Sequence, residues 1–238
     1  MIKSILKLLI PNSILNFRSN RVEKKRHSLY KELAISDVFE NIYTNHEWGI
    51  GNGEFYSGSG THNIDITKPY IEAVISVLKS LPNKPIVVDI GSGDFNIGNN
   101  FVEFVEYYYA CDIVPLLQAH NRKIFNLSNV SFVCVDATKD DIPDGDILII
   151  RQVLQHLSNK NIQKIIDKCN KFDKWIVTEH IPNHENFTPN KDITTGCGIR
   201  VLFNSGVVLS EPPFSLKGYN ENILSESYEN NEIIRTTL

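Results

Sequence analysis

Three acids in this sequence stand where a ligand carrying hydroxyls and ring nitrogens could be held: Asp89, Asp112 and Asp136. Each sits at the end of an apolar stretch. Asp89 falls near the close of Pro85–Ile90, Asp112 ends Tyr107–Asp112, and Asp136 follows Val130–Val135. An ionised carboxylate only accepts hydrogen bonds, so it suits a diol or an amine edge. Gly91 and Gly93, with Ser92 between them, follow the first stretch, and a turn without Cβ atoms lets a ligand approach its backbone. Further along stand Arg151-Gln152, His156 and the pair Glu179-His180, and beyond them Arg200 in Gly196-Cys-Gly-Ile-Arg200. A histidine titrating near neutrality is a natural general base, with His156 the first choice and His180 and Glu179 the second. The planar fork of Arg200 suits a phosphate or carboxylate on an acceptor. The alternatives for these groups are bland: His156 as a helix cap and Arg200 as a surface arginine.

The elements that must position these groups alternate. The β-branched run before Gly91 reads as a buried parallel strand, and the second and third strands end at Asp112 and before Asp136. Thr67–Leu81 reads as a helix from Ile71, Val74, Ile75 and Leu78 on one face, with Pro69 in its first turn. Pro115–Phe125 is a second helix. Asp146–Arg151 is a fourth strand, Ser158 caps the helix after it, and Trp175–Thr178 is a fifth strand. Asn222–Tyr228 and Glu232–Thr237, joined by Glu229-Asn230-Asn231, read as an antiparallel hairpin. Ligands in open α/β sheets bind outside the carboxyl ends of strands, where these polar groups fall.

This pattern resembles the class I S-adenosylmethionine-dependent methyltransferases over Thr67–Glu179. The resemblance implies an α/β fold: a Rossmann-like seven-stranded sheet with a C-terminal antiparallel hairpin and helices on both faces. It also implies S-adenosylmethionine as cofactor. Asp89, Gly91, Ser92 and Gly93 would form the turn under its methionine part, Asp112 with Ile113 would hold the ribose, and Asp136 with Ala137 the adenine edge. Phe95 departs from the commonest form, which has a third glycine there. The stretch Arg151-Gln-Val-Leu-Gln-His156-Leu-Ser158 resembles the Asp-Val-Leu-Gln-His-Leu signature of bacterial methyltransferases associated with surface-polysaccharide synthesis, with Arg151-Gln152 replacing Lys-Asp. The same group has Trp-Gly…Ser-Gly stretches before the first strand, which implies that Trp48, Ser57 and Gly58 fold over the cofactor as a lid. The acceptor would then be a small molecule or glycan precursor, methylated on a sugar or phosphoryl oxygen. A small-molecule N- or O-methyltransferase outside glycan synthesis and a non-catalytic partner subunit stay open, as does NAD binding. Against NAD, Gly-x-Gly-x-x-Gly fails at Asn96.

Composition sets the outer bounds. The 238 residues allow one α/β domain with modest additions, read as a basic segment 1–28, a lid or cap region 29–66 and a methyltransferase domain 67–238. Residues 1–28 carry a net +6 and the rest −10, so the acidic body argues against nucleic acid as a substrate. Met1–Ile10 is a short amphipathic segment ended by Pro11, read either as a peripheral membrane or partner contact or as a helix packed on the protein. No run approaches the roughly 18 apolar residues of a membrane span. The four cysteines show no Cys-x-x-Cys pair, so no metal or disulfide framework is expected, Cys111 and Cys134 read as buried strand thiols, and the chain reads as cytoplasmic.

Overall fold

The computed structural model describes residues 21, 24, 25, 27–51, 55–230 and 232–238. The amphipathic segment Met1–Ile10 therefore lies outside the described residues. Seven strands form one sheet: β1 (Ile86–Ile90), β2 (Tyr107–Asp112), β3 (Val130–Cys134), β4 (Ile147–Arg151), β5 (Lys174–Pro182), β6 (Ile223–Glu229) and β7 (Glu232–Thr237). Their order is β3-β2-β1-β4-β5-β7-β6. The first five are parallel, and β7 inserts antiparallel between β5 and β6.

The sheet is apolar on both faces at its centre because helices cover both. Strand side chains alternate. Val88 and Ile90 of β1, with Leu148 and Ile150 of β4, pack beneath α1 (Ile35–Thr44), α4 (Pro115–Ile124) and α5 (Asn159–Cys169). Val87, Ile147 and Ile149 face the other way, onto Tyr70, Val74 and Leu78 of α3 (Ile64–Ser80). A short α2 (Ser59–His62) precedes α3. Because β1 lies between β2 and β4, the connections diverge there and leave a crevice at the strand ends.

Several elements differ from the sequence reading. Helix α3 begins at Ile64, three residues early, because Asn63 caps it by accepting the Asp65 N–H at 3.1 Å. Pro69 therefore lies inside the helix and not in its first turn. The β1–β2 link holds two 3-10 turns, Gly98–Asn100 and Val102–Phe104, in place of a regular helix. Glycine and asparagine favour helices poorly. The β3–β4 link has no helix. Strand β5 continues to Pro182, so Glu179 and His180 lie within it, paired to Arg235 and Ile234 of β7. Cys134 is exposed at the end of edge strand β3, whereas Cys111 is buried. Among the described residues no helix is long and apolar enough to cross a membrane, and no cluster could hold a metal ion.

Candidate active site

A cavity of about 580 Å³ opens at the carboxyl ends of β1, β2 and β4, with α1 and the segment 57–61 on its opposite wall. Gly91 and Gly93 take left-handed backbone (φ 76° and 57°) as the chain leaves β1. The room left by their missing Cβ atoms is used by the protein itself. A Cβ on Gly91 would lie 2.2 Å from Val153 Cγ2, and one on Gly93 2.6 Å from Ser57 Oγ. Phe95 also takes positive φ (60°) and is fully buried, edge-on to Tyr108, Phe125 and Phe132. That aromatic packing accounts for a bulky residue where a third glycine is commoner.

Asp112 is held as a preformed acceptor. Its Oδ2 takes the Gly93 N–H at 3.0 Å and its Oδ1 the Val114 N–H at 3.1 Å, so both oxygens are aimed and retain lone pairs toward the cavity. Burial raises its pKa, and the N–H bonds pull it back. Asp89 is buried beneath the turn and accepts from Tyr108 Oη at 2.8 Å; burial pushes its carboxyl up to about 7. Ile113, Ala137 and Thr138 complete this end, where Thr138 Oγ1 donates to Asp136 Oδ1 at 2.7 Å and Lys139 lies 3.4 Å from Asp136 Oδ2.

Ser57 joins the opposite wall to the glycine turn. It donates its N–H to Asp94 Oδ2, while its Oγ accepts from the Asp94 N–H, both at 3.0 Å. Tyr43 Oη lies 3.0 Å from the same Oγ, and His62 Nε2 is 2.7 Å from Asp94 Oδ2. Trp48 packs edge-on to Tyr43 and lies 5.2 Å, centroid to centroid, from His156. Gly58 (φ 88°) turns the chain into α2. Arg151 reaches across from β4, donating to Gly60 O at 2.6 Å and Gln152 Oε1 at 3.1 Å, with its guanidinium 4.9 Å over the Tyr70 ring.

The far end is built around the 3-10 turn Leu154–His156. Its two N–H groups at Leu154 and Gln155 donate to Glu179 Oε1 and Oε2, each at 2.9 Å. Its carbonyls are gripped by Arg200, which donates to Leu154 O at 2.9 Å and Leu157 O at 2.6 Å, and also to Lys191 O and Asn159 Oδ1. Arg200 is 1% exposed and does not line the cavity, so it is neither the anion clamp nor the surface arginine expected from the sequence. Glu179 is likewise turned away from the cavity; burial pushes its pKa up to about 8 against the pull of the two N–H bonds. Both hold the backbone of the turn that carries His156. That histidine does line the cavity, but it does not titrate near neutrality, because burial lowers it to about 4. Its Nδ1 lies 3.1 Å from Gly198 O, which only accepts, so Nδ1 carries the proton and Nε2 faces the Gln155 amide at 3.4 Å.

His180 lines the cavity beside Gln152, Gln155 and Glu229. The structure thus brings together every sequence-predicted residue except Arg200 and Glu179. It adds Glu229, Gln155, Tyr43, Ser59 and Thr138 to the lining, and Asp94 as the partner of Ser57. Asp94 and Gln155 adjoin motifs legible in the chain; Glu229 carries no such signal, because it reads as a turn residue far from the others. Among the described residues seven buried side-chain polar atoms lack hydrogen-bond partners, and five of them, Trp48 Nε1, Tyr70 Oη, Ser92 Oγ, Arg151 Nε and His180 Nε2, belong to residues lining this cavity. Buried polar atoms are rarely left so, which makes the cavity a fit for a polar ligand.

The sheet order and its inserted antiparallel strand define the fold of the class I methyltransferases. A solved S-adenosylmethionine-dependent methyltransferase from Leishmania major superposes with a TM-score of 0.56 at 12% identity, covering 90% of each chain. Magnesium protoporphyrin IX methyltransferase from Synechocystis PCC 6803, with bound S-adenosylmethionine, gives 0.53 at 13% identity, covering 86% of this chain and 97% of that one. A phosphoethanolamine N-methyltransferase from Haemonchus contortus gives 0.47 at 14% identity over 60% of this chain, which spans 32% of that enzyme. No protein-family model matches the sequence, and no curated protein matches it.

Proposed function

We propose that the protein is an S-adenosylmethionine-dependent methyltransferase acting on an oxygen of a small acceptor. The observation that carries this reading is Asp112, aimed by two backbone N–H groups into the cavity beside the left-handed glycine turn. Its remaining acceptor capacity suits the two hydroxyls of a ribose. Asp136 lies at the neighbouring strand end, where an adenine amine would be accepted. Arg151 has an unpartnered Nε at the other end of the turn, where a methionine carboxylate would lie. When bound, S-adenosylmethionine supplies a methyl group on a cationic sulfur. The protein's part is to align the two reactants and exclude water, and the wall of Phe39, Trp48, Ile165 and Leu202 does the latter.

The finer reading, a sugar or phosphoryl oxygen of a surface glycan precursor, is supported by the resemblance of Arg151–Ser158 and of the Trp48-Gly49…Ser57-Gly58 stretch. Titration calorimetry with S-adenosylhomocysteine and with NAD tests the cofactor. Binding of the first and not the second is expected; NAD binding without any response to S-adenosylhomocysteine overturns the proposal.

A further inference from the structure

Resting on that reading, we propose that His180 and Glu229 form the proton-accepting pair of the acceptor site, with a proton held between His180 Nε2 and Glu229 Oε2. Glu229 ends β6, and the hairpin brings its side chain into the cavity beside His180 of β5. The protonation follows from the neighbours. The backbone N–H of His180 can only donate, and it meets Gln155 Oε1 at 3.2 Å, which fixes the oxygen of that amide toward His180. The same oxygen lies 3.2 Å from Nδ1, so Nδ1 carries a hydrogen. Were Nδ1 bare, accepting from Gln152 Nε2 at 3.5 Å, the ring hydrogen would sit on Nε2. In the first arrangement a lone pair at Nε2 would face a carboxylate, which is repulsive unless an extra proton lies between them; in the second the proton is already there.

The separation of Nε2 and Oε2 is 3.4 Å, too long for a good N–H···O bond, and Nε2 has no other partner. An acceptor hydroxyl inserted there satisfies both groups. Ser59 Oγ holds Glu229 Oε1 at 2.8 Å and fixes the carboxylate. His156, by contrast, has both ring nitrogens engaged. In the reaction the acceptor oxygen forms a bond to the methyl carbon, the carbon–sulfur bond breaks with its electron pair returning to sulfur, and the hydroxyl proton passes to Glu229 Oε2, since Nε2 of His180 already carries a hydrogen in either arrangement. The charged groups facing His180 are Glu229 from the hairpin and Arg151 from β4, and the titratable His156 of the turn lies near as a neutral ring. The His180 pKa is lowered overall: burial lowers it most, Glu229 pulls it back up, and Arg151 lowers it further. Glu232 stands opposite Glu229 in the hairpin.

The test is a pH titration of ring-¹⁵N-histidine protein by NMR, with S-adenosylhomocysteine affinity measured on the same samples. Glu229→Gln should lower the protonation constant of His180 about tenfold or more, the effect of removing one close opposite charge. S-adenosylhomocysteine affinity should stay as it was. Ser59→Ala, which keeps the carboxylate and only loosens it, should shift His180 in the same direction by less. An unmoved His180 titration in Glu229→Gln, or a His180 that is neutral with a bare Nε2 throughout, overturns the pair. Absence of S-adenosylhomocysteine binding in the parent protein overturns the methyltransferase reading, separately.

Discussion

Replacing Asp112 by alanine probes the cofactor site at its best-defined point. The carboxylate is 8% exposed, and one lone pair on each oxygen is already taken, by the N–H groups of Gly93 and Val114. A carboxylate offers about four acceptor positions, so two are left for a ribose diol. Hydrogen bonds to a charged group contribute about 1.5–3 kcal/mol each, so losing both removes about 3–6 kcal/mol. That corresponds to a rise of roughly 10²–10⁴-fold in Kd. Alanine also strips a partner from two N–H groups of a buried turn, about 1–3 kcal/mol apiece, so Tm falls as well. Calorimetric titration with S-adenosylhomocysteine, run well below the lowered Tm, separates the two effects. An unchanged Kd in a folded Asp112→Ala protein would refute the ribose contact.

Two further substitutions address the turn and the far end. Gly91→Ala places a Cβ against Val153 at a φ of 76°, so binding and stability should both fall. Adding Val153→Ala should recover the steric part and leave about 1 kcal/mol of backbone strain, read as a partial return of Tm; no recovery would show that Val153 is not the obstacle. His156 is held at about 4 by burial, below its ordinary 6.5. Between those values the unfolded chain binds a proton that the folded chain does not, so this residue costs stability as pH falls from about 6.5 toward 4. Asp89 and Glu179, raised from 3.8 and 4.5 to about 7 and about 8, act in the opposite sense: their contribution is lost as pH rises from those ordinary values through about 7 and about 8. The comparison with His156→Gln, not the slope of the parent alone, is therefore the measure: the urea midpoint of the variant relative to that of the parent should rise as pH falls from about 6.5 toward 4.

The parallel half of the sheet was legible because both faces of each central strand are buried and the chain there is almost continuously apolar. The hairpin was legible from its Glu-Asn-Asn turn. The length of β5 was not: Glu179 to Pro182 become strand through pairing with β7, a partner fifty or more residues away in sequence. Glu179 and Arg200 were read as chemistry because a buried acid and a buried arginine look the same in sequence whether they meet a ligand or a backbone turn. Their actual partners, the N–H and C=O groups of residues 154–157, carry no sequence signature. Glu229 carries no signal for a related reason: it ends an antiparallel edge strand, and only the hairpin's pairing beside β5 brings it to the cavity.

The bond from Ser59 to Glu229 spans 170 positions of chain, and that from Ser227 to Ile66 spans 161. Contacts this non-local form only after the intervening chain is organised, because closing so long a loop costs entropy that early structure must first offset. The two ends of the cavity therefore differ in cooperativity. The adenosine end is assembled from strands adjacent in sequence and shares the fate of the central sheet. The far end depends on the docking of an edge hairpin, and edge elements open locally at lower free energy than a core does. Partial fraying at the β6–β7 edge would remove Glu229 from His180 while leaving Asp112 in place, a state that still holds nucleoside but has lost its proton acceptor.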